Sequence, residues 1–260
     1  MRVSVVQHST RRWRARRRRV LWAGGKVLVT LGVVLLLLVV HQLWWTNRQA
    51  REGAERRVKA LEREWGASGA EDEDRIIDSG TSPEASEEPR APEPPPAAPS
   101  TTTRSASRPA PSLAYAILTI PRLDLRVPVA EGISKPDVLN KGYAGHYPGT
   151  QQPGRAGNFA LAGHRNTHGE PFRYVNRLDD GDEILVETRD AVYTYAVDQT
   201  VPQTSARDTG VLRPVPRSLV HPARGYRDPG YYLTLTTCTP EYTSTYRLVV
   251  WGKLISMRPR

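Results

Sequence analysis

An apolar run directly after a basic tail limits the possible structures of this chain more than any other feature of its sequence. Residues 27–45 contain no charged side chain, and as a helix they would rise about 28 Å, close to the hydrocarbon thickness of a bilayer. Residues 1–26 hold eight arginines, one lysine and no acid, which keeps that end in the cytoplasm under the positive-inside rule. The pattern predicts a single-pass protein with a basic cytoplasmic tail (1–25) and a transmembrane signal anchor (26–45).

A cleaved signal peptide is the alternative for this run, because its strictly apolar part, residues 27–40, has the length of an h-region. Bulky residues follow that part, and no small-x-small cleavage motif lies close behind it, so the uncleaved anchor is favoured. The basic residues 11–19 would also suit nucleic acid, but the apolar segment that follows almost at once indicates a topology signal. We therefore expect a lipid bilayer as a partner and no nucleic acid.

Two segments separate the anchor from the globular part. Residues 46–66 are charged and helix-prone, with Val58, Leu61 and Trp65 on one narrow stripe, which predicts a solvated juxtamembrane helix that acts as a spacer. A weak coiled coil is the alternative, although the heptads are few. Residues 67–112 contain nine acids and nine prolines, which predicts a disordered linker able to reach into a thick cell wall, or a simple solubilising tether.

Residues 113–260 have the texture of one globular domain rich in strands. A short helix is expected near residues 135–141, and a long connection over residues 200–230. Short strands punctuated by Gly, Pro and Asp predict a mostly β fold, a closed or nearly closed antiparallel barrel. The expected strands cover residues 114–120, 126–130, 158–162, 183–188, 192–198, 231–238 and 246–255.

Cys238 is the only cysteine of the chain and stands at the end of an expected strand. A lone cysteine excludes an intramolecular disulfide, and in an arbitrary domain it is more often a small buried apolar residue. A nucleophilic thiol needs a base and a donor for a developing oxyanion. His164 ends another apolar strand, although a structural histidine is the alternative. Arg247 follows nine residues after Cys238, so the two face each other if residues 239–245 close a hairpin; a surface arginine is the alternative.

These residues resemble the sortases. Residues 234–238 match the family's Thr-Leu-x-Thr-Cys strand end, residues 162–165 (Ala-Gly-His-Arg) resemble its histidine site, and residues 244–248 (Ser-Thr-Tyr-Arg-Leu) resemble its arginine site. The resemblance covers roughly residues 116–253. It implies a closed eight-stranded β-barrel with short helices, and a cysteine transpeptidase.

The resemblance also implies the site roles. Cys238 would be the nucleophile, His164 the acid and base, and Arg247 the oxyanion donor. Thr237 would help to position the thioester carbonyl or the oxyanion, with ordinary strand packing as the alternative.

Finer similarities point to the class E branch of high-GC Gram-positive bacteria. They are carried by residues 146–150, 157–159 and 163–172, together with the Ala, Arg and Pro bias of the chain. Class E enzymes prefer Leu-Ala-x-Thr-Gly over Leu-Pro-x-Thr-Gly, a preference linked to a tyrosine before the histidine strand. Tyr147 is at the matching position, with a partly buried turn aromatic as the alternative.

The implied partners are exported proteins with such a C-terminal sorting signal and the amine of a peptidoglycan precursor. The implied location is the cell membrane, with the catalytic domain outside. No cofactor is expected, and no metal, since the 200–230 connection offers only Asp208 and Asp228 for calcium. The alternatives are a pilin-polymerising sortase, although no lid motif or second membrane segment is visible, and a catalytically silent wall-binding module.

Overall fold

The computed structural model describes residues 8–77 and 113–260, which form one long helix and one barrel. The helix, α1, covers His8–Ile77. It ends inside the segment predicted as a linker, and the rest of that segment, residues 78–112, lies outside the described residues. The chain divides into two compact units, Met1–Arg48 and Gln49–Arg260.

The first unit contains the apolar run. Among the described residues, one helical stretch, Gly24–Ala67, is long and apolar enough to cross a membrane. The side chains of residues 27–45 are exposed, as a surface that faces lipid requires. A membrane-spanning helix is therefore available where the sequence predicts the anchor.

The second unit contains a closed barrel of eight strands, in the order β1-β2-β3-β4-β7-β8-β6-β5. Short 3-10 turns at Pro121–Leu123, Leu139–Lys141, Val175–Arg177 and Thr209–Leu212 connect some of them. The predicted mostly β, closed eight-stranded barrel with short helices is thus confirmed. The strands are β1 (Ala114–Ile120), β2 (Leu125–Glu131), β3 (Ala144–His146), β4 (Gly157–Ala162), β5 (Glu183–Glu187), β6 (Ala191–Ser205), β7 (Tyr231–Thr239) and β8 (Tyr246–Pro259).

Four details differ from the sequence-based expectation. The barrel is not purely antiparallel, because β2 pairs with β3 and β4 with β7 in parallel. Strand β3 was not predicted, since Ala144–His146 is too short to show an alternation. The helix expected over residues 135–141 is only the turn Leu139–Lys141, which ends at the left-handed Gly142. Strand β6 continues to Ser205, so the long connection before β7 is shorter than the predicted 200–230.

The core of the barrel decides which residues face outward. Phe159 and Leu161 on β4, and Leu233 and Leu235 on β7, belong to the main hydrophobic cluster. Because side chains alternate along a strand, the residues between them point to the outer surface of the barrel. The last outward position of β7 is Cys238, which is partly exposed.

The juxtamembrane part of α1 is not a solvated spacer, and the expectation that it is one is wrong. Val58 and Leu61 are buried in one cluster with Ala114, Ile117, Ala130, Val138, Leu139 and Ala162, and Trp65 packs on the same cluster. Ala50 and Ala54 extend the buried stripe by one residue per turn. The predicted apolar stripe is present, but it packs on the outer face of the barrel beside β4. It does not pack on a second helix, as the coiled-coil alternative would require. Burying a Val or Leu side chain stabilises by roughly 1.5–3 kcal/mol, enough to hold this segment in place.

Candidate active site

The ends of three neighbouring strands bring Cys238, His164 and Arg247 together. Cys238 pairs directly with Arg247 across the β7–β8 hairpin, as the spacing predicts. On the other side, Ala162 of β4 pairs with Thr236, and the Gly163 N–H donates to the Thr236 carbonyl at 3.1 Å. Two residues beyond the Ala162–Thr236 pair lie His164 and Cys238. The three residues therefore form a row across the end of the β4–β7–β8 wall, with Cys238 in the middle.

His164 is held by two neighbours that the sequence did not indicate. Its Nε2 lies 2.8 Å from Asn140 Oδ1, and its ring stacks on that of His168 with centroids 5.2 Å apart. Because an amide oxygen only accepts hydrogen bonds, Nε2 carries the proton and Nδ1 is the basic nitrogen of the neutral ring. Burial, then the charges of His168 and Lys135, lowers the pKa of His164 to about 4. The ring is therefore neutral at pH 7 and able to accept a proton.

Arg165, the residue after His164, is a site residue that sequence reasoning missed. Its side chain is only 7% exposed, and its Nη1 donates to the Cys238 carbonyl at 3.1 Å and to Thr239 Oγ1 at 2.9 Å. A buried guanidinium requires such acceptors. Arg165 thus fixes the strand end that carries the thiol and places a positive charge beside it. An arginine next to the candidate histidine was the only signal in the sequence.

Arg247 does not contact the thiol in this conformation. Its Nη1 donates to the carbonyls of Ser244 and Tyr246, both at 2.9 Å, so the hairpin loop holds the guanidinium near its own strand. Within the described part of the chain, Nε and Nη2 make no hydrogen bond. The fork of Arg247 therefore has donors left for an oxygen that develops negative charge above Cys238.

Thr237 and Tyr147 lie beside this row. Thr237 is buried, and its hydroxyl donates to the Gly163 carbonyl at 2.8 Å, so in this structure it ties β7 to the chain just before His164. The Tyr147 hydroxyl lies 2.9 Å from Thr236 Oγ1, which itself donates to the Leu161 carbonyl. The Tyr147 hydroxyl therefore donates to Thr236, and its oxygen keeps a free lone pair on the outer face of the barrel. Thr236 lies two residues before Cys238 on β7.

A buried contact between His146 and Glu131 supports the turn that begins at Tyr147. His146 is 0% exposed; its Nδ1 lies 2.7 Å from Glu131 Oε2, and its Nε2 lies 3.0 Å from the Gln151 carbonyl. The Tyr115 hydroxyl lies 2.9 Å from the same Nδ1, so two side chains and one backbone carbonyl hold the ring. The pair fixes both ends of the 147–151 turn. Sequence reasoning missed it because Glu131 and His146 meet only when β2 and β3 pair.

Side chains that could bind a metal ion do not cluster in the part of the chain that the structure describes. Over residues 8–77 and 113–260, no group of three or more His, Cys, Asp or Glu side chains is placed to hold a metal ion. The row supplies a thiol, an imidazole and the guanidinium of Arg247, and the guanidinium of Arg165 lies beside the thiol's strand end. Such a set suits acyl transfer through a covalent thioester.

Comparisons with known proteins show similarity to the sortases. A family model described as a sortase domain matches residues 118–255. Sortase SrtE1 of Streptomyces coelicolor is 43% identical over 241 residues, which cover 91% of this chain and 57% of that protein. Sortase SrtE2 of the same organism is 32% identical over 239 residues, covering 89% of this chain and 80% of that protein. The chain thus spans little more than half the length of the first relative and four fifths of the second.

Solved structures of sortases are also similar to this chain. The crystal structure of Sortase E1 from Streptomyces coelicolor with a tripeptide in the active site matches with 52% sequence identity and a TM-score of 0.55, over 58% of this chain and 93% of that chain. The structure of sortase E from Streptomyces avermitilis matches with 38% identity and a TM-score of 0.51, again over 58% of this chain and 93% of that one.

Proposed function

This chain belongs to the sortase family of cysteine transpeptidases, close to the class E sortases, and from that premise we propose that it joins exported proteins to an amine of the cell wall. The observation that carries the proposal is the row formed by His164, Cys238 and Arg247 at three adjacent strand ends. The substrate is a protein with a Leu-Ala-x-Thr-Gly or Leu-Pro-x-Thr-Gly sorting signal, cleaved between Thr and Gly.

In the first step, Cys238 Sγ bonds to the carbonyl carbon of the Thr-Gly peptide bond while His164 Nδ1 takes the thiol proton. Negative charge moves to the former carbonyl oxygen, where the remaining donors of Arg247 stabilise it. The C–N bond then breaks, and His164 gives its proton to the leaving glycine amine. The product is a thioester between Cys238 and the Thr of the sorting signal. A neutral His164 is the form that this step requires, which agrees with its lowered pKa.

In the second step, an amine of a peptidoglycan precursor attacks the thioester carbon. His164 takes a proton from the attacking nitrogen, the C–S bond breaks, and the proton returns to the sulfur. An amide replaces the thioester, and the enzyme is regenerated. Water in place of the amine would release a free acid, so the acceptor decides between transfer and hydrolysis.

Tyr147 is proposed to read the second residue of the sorting signal. Its hydroxyl donates to Thr236, so the oxygen retains a lone pair two residues away from Cys238 along β7. An alanine at the second position presents a backbone N–H to such an acceptor, whereas a proline has none. This contact favours Leu-Ala-x-Thr-Gly. The Thr237 hydroxyl donates to the Gly163 carbonyl. In this proposal Thr237 holds the ends of β4 and β7 together and does not contact the substrate.

The proposed topology follows from the anchor. The basic tail stays in the cytoplasm, and residues 113–260 act outside the membrane, where exported proteins and wall precursors meet. Protease treatment of intact cells tests it. Cleavage of the barrel domain from outside is expected, and full protection of that domain in intact cells would overturn the orientation.

The catalytic proposal is tested with the full chain in detergent micelles. Leu-Ala-x-Thr-Gly and Leu-Pro-x-Thr-Gly peptides are each incubated with and without an amine acceptor, and the Cys238→Ala variant serves as the control. Cleavage between Thr and Gly, and amide formation when amine is present, are expected only with the wild-type thiol. Binding without cleavage by both proteins would show a wall-binding module, and transfer only to a pilin lysine would show a pilin polymerase.

A further inference from the structure

Arg51 on α1 binds a tight turn of the barrel, residues 166–171, which follows His164. Its Nε donates to the Gly169 carbonyl at 3.0 Å, and its Nη2 lies 3.2 Å from Glu170 Oε2. The Glu170 side chain is only 7% exposed, and Arg173 binds the same oxygen at 2.7 Å. The fork of Arg51 thus holds both a backbone oxygen and a buried carboxylate of one turn.

A second turn meets the same part of α1. A Cβ placed on Gly142 would lie 3.1 Å from the Ala50 carbonyl oxygen and 3.3 Å from that of His168. Three segments, namely the helix, the 139–142 turn and the 166–171 turn, therefore approach each other so closely that a side chain at Gly142 would have to push its neighbours aside. The left-handed backbone of Gly142 is a second reason why this position needs glycine.

These two turns carry the two neighbours of the His164 ring. Asn140, which binds His164 Nε2, lies two residues before Gly142. His168, which stacks on the ring, lies next to Gly169. The helix touches neither the thiol nor the imidazole, yet it contacts both turns that orient the imidazole.

The turn that carries His168 has an unfavourable backbone. His168, Gly169 and Glu170 have φ values of 53°, 85° and 54°, so three consecutive residues, two of them not glycine, are left-handed. Such a conformation persists only where surrounding contacts enforce it. Arg51 and Arg173 are among those contacts, since both bind Glu170, and Arg51 comes from outside the barrel.

We propose that residues 49–65 of α1 form a positioning element of the active site, with Arg51 as its key residue. By holding the 166–171 turn, and through Ala50 the 139–142 turn, this segment keeps the His164 ring oriented toward Cys238. The proposal rests on the proposed function, in which His164 is the catalytic acid and base. It implies that the helix following the membrane anchor belongs to the working enzyme and that the barrel alone is a weaker catalyst.

The test compares Arg51→Ala with Arg56→Ala in the full chain in detergent micelles. Arg56 is an exposed arginine of the same helix, with no interaction to the rest of the described chain, so its variant controls for lost charge. Arg51→Ala is expected to lower kcat by about tenfold or more, toward the roughly 100-fold loss that a small misplacement of a catalytic group can cause. KM is expected to change little, because Arg51 lies away from the row. Arg51→Lys should recover part of kcat, since one ammonium replaces only part of the fork.

A second readout needs no substrate. The His164 pKa is followed by NMR of histidine-labelled protein, with the ring signals assigned through a His164→Gln variant. Burial and the neighbouring His168 and Lys135 lower this pKa in the intact site, so release of the turn in Arg51→Ala should raise it toward the ordinary value for histidine. Arg56→Ala should leave it unchanged.

The outcomes separate the two proposals. If Arg51→Ala matches Arg56→Ala in both kcat and the His164 titration, the positioning role is refuted, even if the melting temperature falls. If the wild-type chain cleaves no sorting peptide, the proposed function fails, and the His164 titration still decides whether the helix orients the ring. A loss of kcat together with a raised His164 pKa in Arg51→Ala alone supports the inference.

Discussion

The packing of α1 on the barrel predicts a large local effect of the Leu61→Ala substitution. Leu61 is 2% exposed and lies in the cluster that the helix forms with β1, β2 and β4. Truncating a buried leucine costs about 2–5 kcal/mol, through lost transfer free energy and the cavity left behind. Because the helix docks through few large side chains, most of this cost should fall on the equilibrium between docked and detached helix.

Hydrogen exchange measures that equilibrium directly. A loss of 2 kcal/mol lowers the protection of the backbone amides in residues 49–65 by about 30-fold, since every 1.4 kcal/mol is a factor of ten. The matched control is Lys59→Ala, an exposed position of the same helix, where an effect within about 0.5 kcal/mol is expected. Equal protection in the two variants would show that the helix is solvated and would refute the packing described above.

Three further predictions concern the site itself. Arg247→Lys should lower kcat by about 100-fold or more with little change in KM, because an ammonium cannot present the planar fork to the oxyanion; steady-state kinetics with a sorting peptide measure it, and an unchanged kcat would exclude Arg247 as the donor. Tyr147→Phe should reduce the preference for Leu-Ala-x-Thr-Gly over Leu-Pro-x-Thr-Gly by a factor of about 2–12, the worth of one hydrogen bond; competition between the two peptides measures it, and an unaltered ratio would remove Tyr147 from recognition. The free energy of unfolding should fall as the pH drops from about 6.5 to about 4, because in this range the unfolded chain binds a proton at His164 that the folded chain, with its pKa lowered to about 4, does not. Urea titrations at several pH values measure this change, and the free energy should depend less on pH in His164→Gln. An identical pH dependence in the two proteins would contradict the burial of the ring.

Local patterns in the sequence predicted the parts of the site that lie on regular strands. The spacing of Cys238 and Arg247 indicated a hairpin, and the structure pairs these two residues directly. An apolar run that stops at Ala162 indicates that His164 follows a strand end, and β4 ends at Ala162. These inferences hold because alternation and turn chemistry are local properties, readable within ten residues.

The parts that were missed depend on contacts between distant segments. Arg165 meets the Cys238 carbonyl only because β4 and β7 pair in parallel, and sequence spacing carries no sign of that pairing. Asn140 and His168 reach the His164 ring from two short turns outside the strands, and sequence spacing does not show that these turns meet. The same reason explains the docking of α1, since the stripe of Val58 and Leu61 was visible but its partner surface exists only after the barrel has closed.

The central claim is that Cys238 becomes acylated by a sorting signal. The most direct measurement is intact-mass spectrometry of the full chain, mixed with a Leu-Ala-x-Thr-Gly peptide in the absence of an amine and quenched in acid. The predicted result is an adduct with the mass of the peptide up to its Thr, located on Cys238, removed by hydroxylamine and absent from Cys238→Ala. No adduct with either sorting peptide, or cleavage that persists in Cys238→Ala, would contradict the account.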